Sequence, residues 1–349
     1  MPKKTGREMK KKFNTCVMNH YVFEAFEQFC RETATDYYVD AESGMYMVLK
    51  LPSGTNYVIC NNPFNVNTAG SAKLCNNKAA CSAYLKSCGF NVPIERYFVK
   101  AKNTDSREEM NRAIRELRAE TGVEFPFIIK PNNLSQGAGV MKIRTPEDIG
   151  EYAEMMSALK SGTFLVQEFI EARDYRITVL GGKVIQAYQR IPFRVVGDGV
   201  RTVSGLIQDE TARFEQYGRD KRVRAEDKRI ELNLRERGYA FSDIIPEGVI
   251  ISLQDVANLS LGGMSLDVTD QIAPYFEELA GAIAGCLNLD LCGADILAGD
   301  ITDPKERYYR VIEVNSAPGM DHYAFEKGTQ DAYVKNLYRK IFDYIQTKF

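Results

Sequence analysis

The sequence predicts a mixed α/β protein in which two or three lobes surround a cleft. Three observations lead to this class. Short apolar strands alternate with amphipathic helices along the chain. Of the 349 residues, 44% are hydrophobic, which is enough for a substantial core. One apolar strand also runs directly into a polar, glycine-containing loop, as strands do where they deliver residues to a site. We therefore expect both α+β and α/β packing in one chain.

The amino-terminal residues predict a small α/β unit. An amphipathic pattern over residues 13–34 indicates a helix, and two apolar runs at 45–51 and 57–60 indicate strands joined by a Pro-Ser-Gly-Thr turn. A second helix is predicted from Asn77 to Cys88, where Gly89 ends it. The amino-terminal unit is expected to occupy residues 1–77, so this second helix begins the lobe that follows it.

The remainder of the chain predicts two larger groups of strands and helices. Dense charge over residues 208–238 favours a solvated helical excursion between them. Gly181-Gly182 predicts a hairpin turn. The predicted strands lie at 127–130, 140–143, 163–170, 174–180, 184–190, 291–298 and 308–314, and the predicted helices lie near 105–121 and 271–287.

Composition excludes several functional classes. Lys and Arg number 45 against 47 Asp and Glu, so neither a strongly basic nucleic-acid surface nor a polybasic membrane anchor is expected. Eight cysteines without a C-x-x-C pair and only two histidines argue against a zinc site. No signal-type segment or membrane-length apolar run is found, which favours a cytoplasmic location.

A lysine at the end of a strand, followed by a glycine loop, suits a triphosphate. Lys130 supplies a point charge, and small residues let backbone amides approach phosphate oxygens. The candidate loop residues are Ser135, Gly137 and Gly139. Neither the G-x-x-x-x-G-K-[ST] nor the G-x-G-x-x-G pattern is present, and a plain hairpin would use the same residues.

The second signal is polar residues at the end of an apolar strand. Gln167, Glu168, Phe169 and Ile170 precede Asp174, an arrangement that can offer main-chain groups to adenine and a carboxylate to ribose. A buried edge strand with a surface ion pair is the alternative. The third signal is Asp295 together with Glu313-x-Asn315.

The Glu313-x-Asn315 spacing puts both side chains on one face of an apolar strand. Two carboxylates and an amide oxygen are the hard ligands that magnesium prefers. An unpaired carboxylate inside such a strand would be costly, so we interpret Asp295, Glu313 and Asn315 as metal ligands rather than structural groups.

The order of these signals resembles the ATP-grasp superfamily over residues 75–320. Further segments narrow the resemblance to the ATP-grasp domains of cyanophycin synthetases and bifunctional glutathione synthetases. They are Arg190-Ile-Pro, 195–203 (Val-Val-Gly-Asp-Gly-Val-Arg-Thr-Val), 257–263 (Ala-Asn-Leu-Ser-Leu-Gly-Gly) and 267–270 (Asp-Val-Thr-Asp). The resemblance implies two α+β lobes gripping ATP, at 78–165 and 166–349.

The resemblance also implies roles for residues. Lys78 and Lys130 would contact the phosphates under the loop, Gln167 to Ile170 would hold adenine, and Asp174 would meet the ribose. The metal ligands would bind Mg²⁺, expected as two ions and replaceable by Mn²⁺. The residues expected to act on the substrate carboxylate or acyl phosphate are Arg176, Arg190, Arg194 and Asn315, with Asn258, Ser260, Gly262, Gly263 and His322 beside the intermediate.

Each substrate-side residue also has a structural interpretation. The arginines could be ion-pair partners, residues 258–263 could form a hairpin turn, and a lone histidine is more often only hydrogen-bonded. The chain departs from the family pattern at Gln254 and over residues 208–215, where substrate is expected.

The implied function is an ATP-dependent carboxylate–amine ligase acting through an acyl phosphate on amino-acid-like or short peptide substrates. A homodimer or homotetramer is expected from the same resemblance. An ATP-binding regulatory protein or a phosphotransferase without ligation is the alternative on the same fold.

Overall fold

A computed structural model describes residues 20–40, 42, 44–60, 64–100, 106–159, 161–216, 227–320 and 330–349. Its strands form four sheets, and every pairing among the described strands is antiparallel. The helices are α1 (His20–Thr33), α2 (Ala69–Cys75), α3 (Lys78–Ser87), α4 (Ser106–Thr121), α5 (Asp148–Ser157), α6 (Val203–Gln216), α7 (Lys228–Glu236), α8 (Pro274–Cys286) and α9 (Gln330–Lys348).

The strands are β1 (Tyr37–Val39), β2 (Met47–Lys50), β3 (Asn56–Ile59), β4 (Glu95–Val99), β5 (Phe127–Pro131), β6 (Met141–Ile143), β7 (Thr163–Glu168), β8 (Arg173–Leu180), β9 (Lys183–Ile191), β10 (Arg194–Val196), β11 (Ile250–Ser252), β12 (Met264–Asp267), β13 (Leu291–Ala298) and β14 (Tyr309–Asn315). The predicted strand pair near 45–60 and the Gly181-Gly182 hairpin are therefore present.

The amino-terminal unit is a three-stranded sheet, β1-β2-β3, that shares one apolar core with α1 and α9. Phe342 of α9 packs edge-on against Phe26 of α1, with ring centroids 5.5 Å apart. The sequence analysis did not anticipate α9. The first part of the predicted helix, residues 13–19, lies outside the described residues.

The first large lobe is a four-stranded sheet of order β4-β7-β5-β6, covered on one face by α4 and α5. The buried residues of α4 follow helical spacing, at Met110, Ala113, Ile114 and Leu117. Strand β7 runs from Thr163 to Glu168 and so crosses the predicted boundary between residues 165 and 166. The predicted division into lobes remains a prediction.

The second large lobe is a five-stranded sheet of order β12-β9-β8-β13-β14. The side chains of successive residues in a strand point to opposite faces of the sheet. Tyr175, Ile177 and Val179 of β8 therefore join the apolar core under α8, while Asp174 and Arg176 face the other way. This second face carries the candidate site.

An insertion within the second lobe has its own small core, formed by α6, α7 and the two-stranded sheet β10-β11. The prediction of a solvated excursion is wrong for α7, whose Ile230, Leu232, Asn233 and Leu234 are buried. Glu236 and Arg235 of α7 form ion pairs with residues of the first lobe. Local sequence does not encode such long-range pairs. Residues 217–226 of this predicted excursion lie outside the described residues.

Candidate active site

A cleft of about 590 Å³ lies between the four-stranded and the five-stranded sheets. Most of the predicted site residues converge on it. Those that line it are Lys78, Lys130, Ser135, Gly137, Gln167, Glu168, Phe169, Ile170, Asp174, Arg176, Arg190, Asn258, Asp295, Glu313 and Asn315. The cleft thus has the mixture of a largely apolar wall and a few convergent polar groups that is typical of ligand sites.

Lys130 reaches from β5 across the cleft toward the other lobe. Its ammonium donates to the carbonyl of Ile312 at 3.4 Å, and its side chain is 7% exposed. Ile312 lies where the register between β13 and β14 shifts. Burial lowers the pKa of Lys130, although the carboxylates of Glu95 and Glu313 oppose this effect.

Lys78 contacts both the loop after β5 and the acidic strand β14. Its ammonium donates to the carbonyl of Leu134 at 2.6 Å and lies 3.1 Å from the carboxylate of Glu313. The start of α3 is fixed by Asn132 of the loop after β5, whose side-chain oxygen accepts the amide of Ala79 at 2.9 Å. This capping contact sets Lys78 opposite Lys130.

The glycine loop between β5 and β6 requires glycine for two reasons. Gly137 and Gly139 have φ angles of +70° and +71°, which side chains with a Cβ rarely adopt. A Cβ on Gly139 would also lie 2.4 Å from Leu159 and 2.8 Å from Pro131. The loop is therefore held close to its own lobe by local packing.

The predicted adenine segment follows the end of β7 at Glu168. The carboxylate of Glu168 accepts the amide of Ile94 at 2.9 Å, and the Glu168 amide donates back to the Ile94 carbonyl at 3.0 Å. Gln167 is buried, and the ring of Phe169 lies 4.5 Å from the ammonium of Lys142. The side chains of Gln167, Glu168 and Phe169 are buried or in contact with other residues of the protein. The predicted recognition of adenine would therefore use main-chain groups.

Four charged side chains form a chain of alternating sign across β9, β8 and β13. Arg190 donates to Asp174 at 2.6 Å and to Asp295 at 3.0 Å, and Arg176 holds Asp295 through two hydrogen bonds of 2.7 and 2.8 Å. Cross-strand register explains the chain, because Arg176 lies directly opposite Asp295, and Asp174 directly opposite Arg190. Part of the donor capacity of Arg176 and Arg190 is therefore already used by the two aspartates.

The two aspartates of the chain differ in how readily they ionise. Burial raises the pKa of Asp174 to about 6, despite its contact with Arg190. Burial also disfavours the charged form of Asp295, but Arg176 and Arg190 outweigh it and hold the pKa of this carboxyl below its ordinary value. Asp295 is therefore the permanent anion at the centre of the site.

The predicted metal ligands share one face of β13 and β14. Asp295 lies opposite Glu313 in the strand register, and Asn315 follows two residues later on the same face. The side-chain nitrogen of Asn315 is buried without a hydrogen-bond partner. Oxygen and nitrogen of an amide are exchanged by a simple flip, so this residue can present its oxygen to a cation.

This donor set fits a magnesium ion. Two carboxylates and one amide supply hard oxygens, and Asp295 keeps an acceptor position beside its three contacts with arginine. Among the residues that the structure describes, no cluster of three or more His, Cys, Asp or Glu side chains suits a metal. The predicted set includes the amide of Asn315, a residue type outside those four.

Five predicted site residues do not line the cleft. Arg194 lies on β10, opposite Ser252. Gly139, Ser260, Gly262 and Gly263 are not among the lining residues. Ser260 belongs to a short 3-10 helix, Leu259–Leu261, and Gly262 caps its end. His322 lies outside the described residues.

Some residues of the cleft region were missed by sequence reasoning. Asp255 lines the cleft and pairs with Arg144 of the first lobe at 2.7 Å. Arg229 of α7 contacts the glycine loop. Both contacts join segments that are distant in the sequence, so no local pattern identifies either residue.

The cleft, its paired lysines and the acidic strand pair define the class of protein. Residues 75–198 match the model of the RimK-like ATP-grasp domain. This segment is therefore similar to an ATP-grasp domain, and the chain has the ATP-grasp fold, as the order of its motifs predicted. Where residues are described, no helix has the length and apolar character needed to cross a membrane.

Curated relatives and a solved structure agree with this class. A cyanophycin synthetase from Nostoc sp. is 36% identical over 201 residues, which are 56% of this chain and 22% of the relative. The glutathione biosynthesis bifunctional protein GshAB of Streptococcus mutans is 28% identical over 284 residues, 78% of this chain and 36% of that protein. The chain thus spans about a fifth to a third of these relatives.

The crystal structure of a bifunctional glutathione synthetase from Pasteurella multocida superposes with a TM-score of 0.57 at 21% identity. The match covers 93% of this chain and 44% of that one, and it supports the fold.

Proposed function

We propose that this protein is an ATP-dependent carboxylate–amine ligase that joins an amino-acid-like or short peptide acid to an amine and releases ADP and phosphate. One observation carries the proposal. Lys130, Lys78 and the Asp295, Glu313 and Asn315 set, which lie far apart in the sequence, converge on one cleft together with the glycine loop. The named relatives support a ligase of this kind.

Different residues of the cleft would bind different parts of MgATP. Gln167 to Ile170 would hold the base, while Lys78 and Lys130 would meet the phosphates from opposite sides. Glu313 and Asn315, with Asp295 behind them, would hold Mg²⁺, which when bound neutralises phosphate charge during transfer. The acceptor carboxylate would become an acyl phosphate, which the amine attacks in a second step.

No nucleophilic side chain is required for this chemistry. Catalysis would come from placing the acid in line with the γ-phosphate and from fixed charges around it. Arg176 and Arg190 would contribute through the ion chain, which sets their guanidinium groups beside the transferred group. A substrate oxyanion that reaches them would share them with Asp295 and Asp174.

A phosphotransferase without ligation and an ATP-binding regulator without turnover are the alternatives. A screen of acid and amine pairs for ADP release, with mass spectrometry of the products, separates the three. The ligase releases ADP only when both an acid and an amine are present and yields a condensed product. A stable phosphorylated product without amine, or no ADP with any pair, would contradict the proposal.

Glu313→Gln tests the metal assignment. The amide keeps the size of the side chain but removes the charge that would hold the cation, so turnover should fall on the order of 100-fold or more. Circular dichroism should show an unchanged fold. The matched control is Glu278→Gln on the exposed side of α8, which should be fully active. Equal activity in both variants would disprove the role of Glu313.

The cytoplasmic location, the homodimer or homotetramer, the pair of Mg²⁺ ions and their replacement by Mn²⁺ belong to the same proposal. Metal titrations of the ADP-release reaction test the ions, light scattering of the purified protein tests the subunit count, and cell fractionation tests the location.

A further inference from the structure

The glycine loop is held from outside its own lobe as well as from within. One guanidinium nitrogen of Arg229 donates to the carbonyl of Gly137 at 3.0 Å and to that of Val140 at 3.4 Å. The hydroxyl of Ser260 lies 3.3 Å from the carbonyl of Gln136 and 2.9 Å from the side-chain oxygen of Asn258, and its one proton is shared between these two acceptors. Both contacts come from the second lobe, although the loop belongs to the first.

These contacts fix the direction of peptide groups in the loop. Across a trans peptide the carbonyl of one residue and the N–H of the next point in opposite directions. The bond from Ser260 to the Gln136 carbonyl therefore turns the N–H of Gly137 away from Ser260. Gln136 and Gly137 both line the cleft, whereas Ser260 does not.

Arg229 is itself held rigidly. Asp227 caps the amino end of α7, accepts the Arg229 amide at 3.0 Å and grips the guanidinium through contacts of 2.9 and 2.6 Å. The side chains of the two residues are only 12% and 15% exposed. One guanidinium nitrogen is left over, and this is the nitrogen that reaches the loop.

Helix α7 is also docked on the first lobe at its other end. Arg144, beside β6, pairs with Glu236 at 2.6 Å and contacts Asn233 at 3.1 Å. Lys142 of β6 pairs with the same glutamate at 3.2 Å. Leu232 enters the apolar core of the first lobe. The helix thus packs on the core of the insertion through Ile230 and Leu234, and on the first lobe through Leu232 and Glu236.

We propose that Arg229 is a positioning residue that holds the glycine loop in the conformation needed to bind a nucleoside triphosphate. It acts through the carbonyls of Gly137 and Val140 and so fixes the turn that carries the cleft-lining residues of the loop. The inference rests on the proposed function for its ligand, but the order that Arg229 imposes on the loop is a property of the protein alone.

Arg229→Ala and Arg229→Lys test the proposal. Loss of one charge-assisted hydrogen bond corresponds to about a tenfold weaker affinity for MgATP, and lysine should restore part of it. Adenosine, which has no phosphate, should bind all variants equally. A general loss of structure would instead weaken both ligands, so the ratio of the two affinities separates positioning from simple destabilisation.

The matched control is Arg235→Ala. Arg235 lies on the same helix and pairs with Asp148 of α5 at 3.5 Å, but its side chain is 58% exposed and does not contact the loop. Hydrogen exchange of the ligand-free protein gives the second readout. Amides of residues 134–140 should exchange faster in Arg229→Ala and at the wild-type rate in Arg235→Ala.

The ligand-affinity measurement and the hydrogen-exchange measurement test two separate claims. If wild-type protein binds no ATP, the proposed function fails, and the exchange measurement still decides whether Arg229 orders the loop. If Arg229→Ala leaves both the ATP-to-adenosine ratio and the exchange of the loop unchanged, the role of Arg229 is disproved.

Discussion

Lys130 is the residue at which stability and binding conflict most directly. The buried ammonium of Lys130 has one long hydrogen bond, and the carboxylates of Glu95 and Glu313 offset only part of its desolvation, so it costs folding free energy that a ligand phosphate would relieve. Lys130→Met should therefore abolish ATP binding while leaving the melting temperature unchanged or higher. Lys183→Met, at the exposed start of β9, should change neither property. Calorimetry and ATP titration measure both, and a clearly less stable Lys130→Met would contradict the argument.

The same residue predicts a pH dependence. Its pKa in the folded protein lies below the ordinary value of 10.5. Between these two values the unfolded chain binds more protons than the folded one, so the contribution of Lys130 to stability rises as the pH increases through that window. Lys130→Met should remove this part of the slope in urea unfolding measured across alkaline pH.

At the same scale, sequence reasoning predicted which residues line the cleft better than it predicted their partners. The Glu-x-Asn spacing of β14 fixes the face of Glu313 and Asn315 because strand periodicity is local. The pairing of Arg176 with Asp295 depends on the register of β8 against β13, which no local pattern encodes. The arginines were predicted as anion binders; the fold pairs them with aspartates through some of their nitrogens, and the predicted role stays a prediction.

At the scale of elements, the glycine loop makes a second prediction. Gly139→Ala should destabilise the protein by about 1–3 kcal/mol, because the new methyl group meets Leu159 and Pro131 and the φ angle is unfavourable. Gly150→Ala in α5 is the control, since nothing lies within 4 Å of its added Cβ. Urea unfolding of both variants tests this, and equal stability would contradict it.

Elements were predicted well where periodicity was strong and poorly where contacts decided the outcome. Strands β5, β8 and β13 follow apolar runs closely. Helix α7 was interpreted as solvated because charge dominates its composition. Its Ile230 and Leu234, four residues apart, form the buried side. The charged partners Lys142 and Arg144 lie in another lobe.

At the scale of the molecule, the last described helix completes the first unit of the chain. Phe342 is fully buried between Phe26 and Phe29. Phe342→Ala should cost about 3–5 kcal/mol of unfolding free energy. Phe349→Ala, at a ring that is 39% exposed, should cost clearly less. Chemical denaturation compares the two, and similar losses would show that α9 is not part of that core.

The polar face of the five-stranded sheet has a consequence for altering this protein. Its charged residues alternate with core residues along the same strands, and most are bound to one another. Replacing one of these charged residues would therefore leave its buried partner unpaired. Inserting one residue in a strand would turn its core side chains toward the site and its site side chains toward the core. Segments outside the strands, such as 255–263, do not carry the ion chain, so substrate preferences are better altered there, with Asp255 and the buried Ser260 and Leu261 kept unchanged.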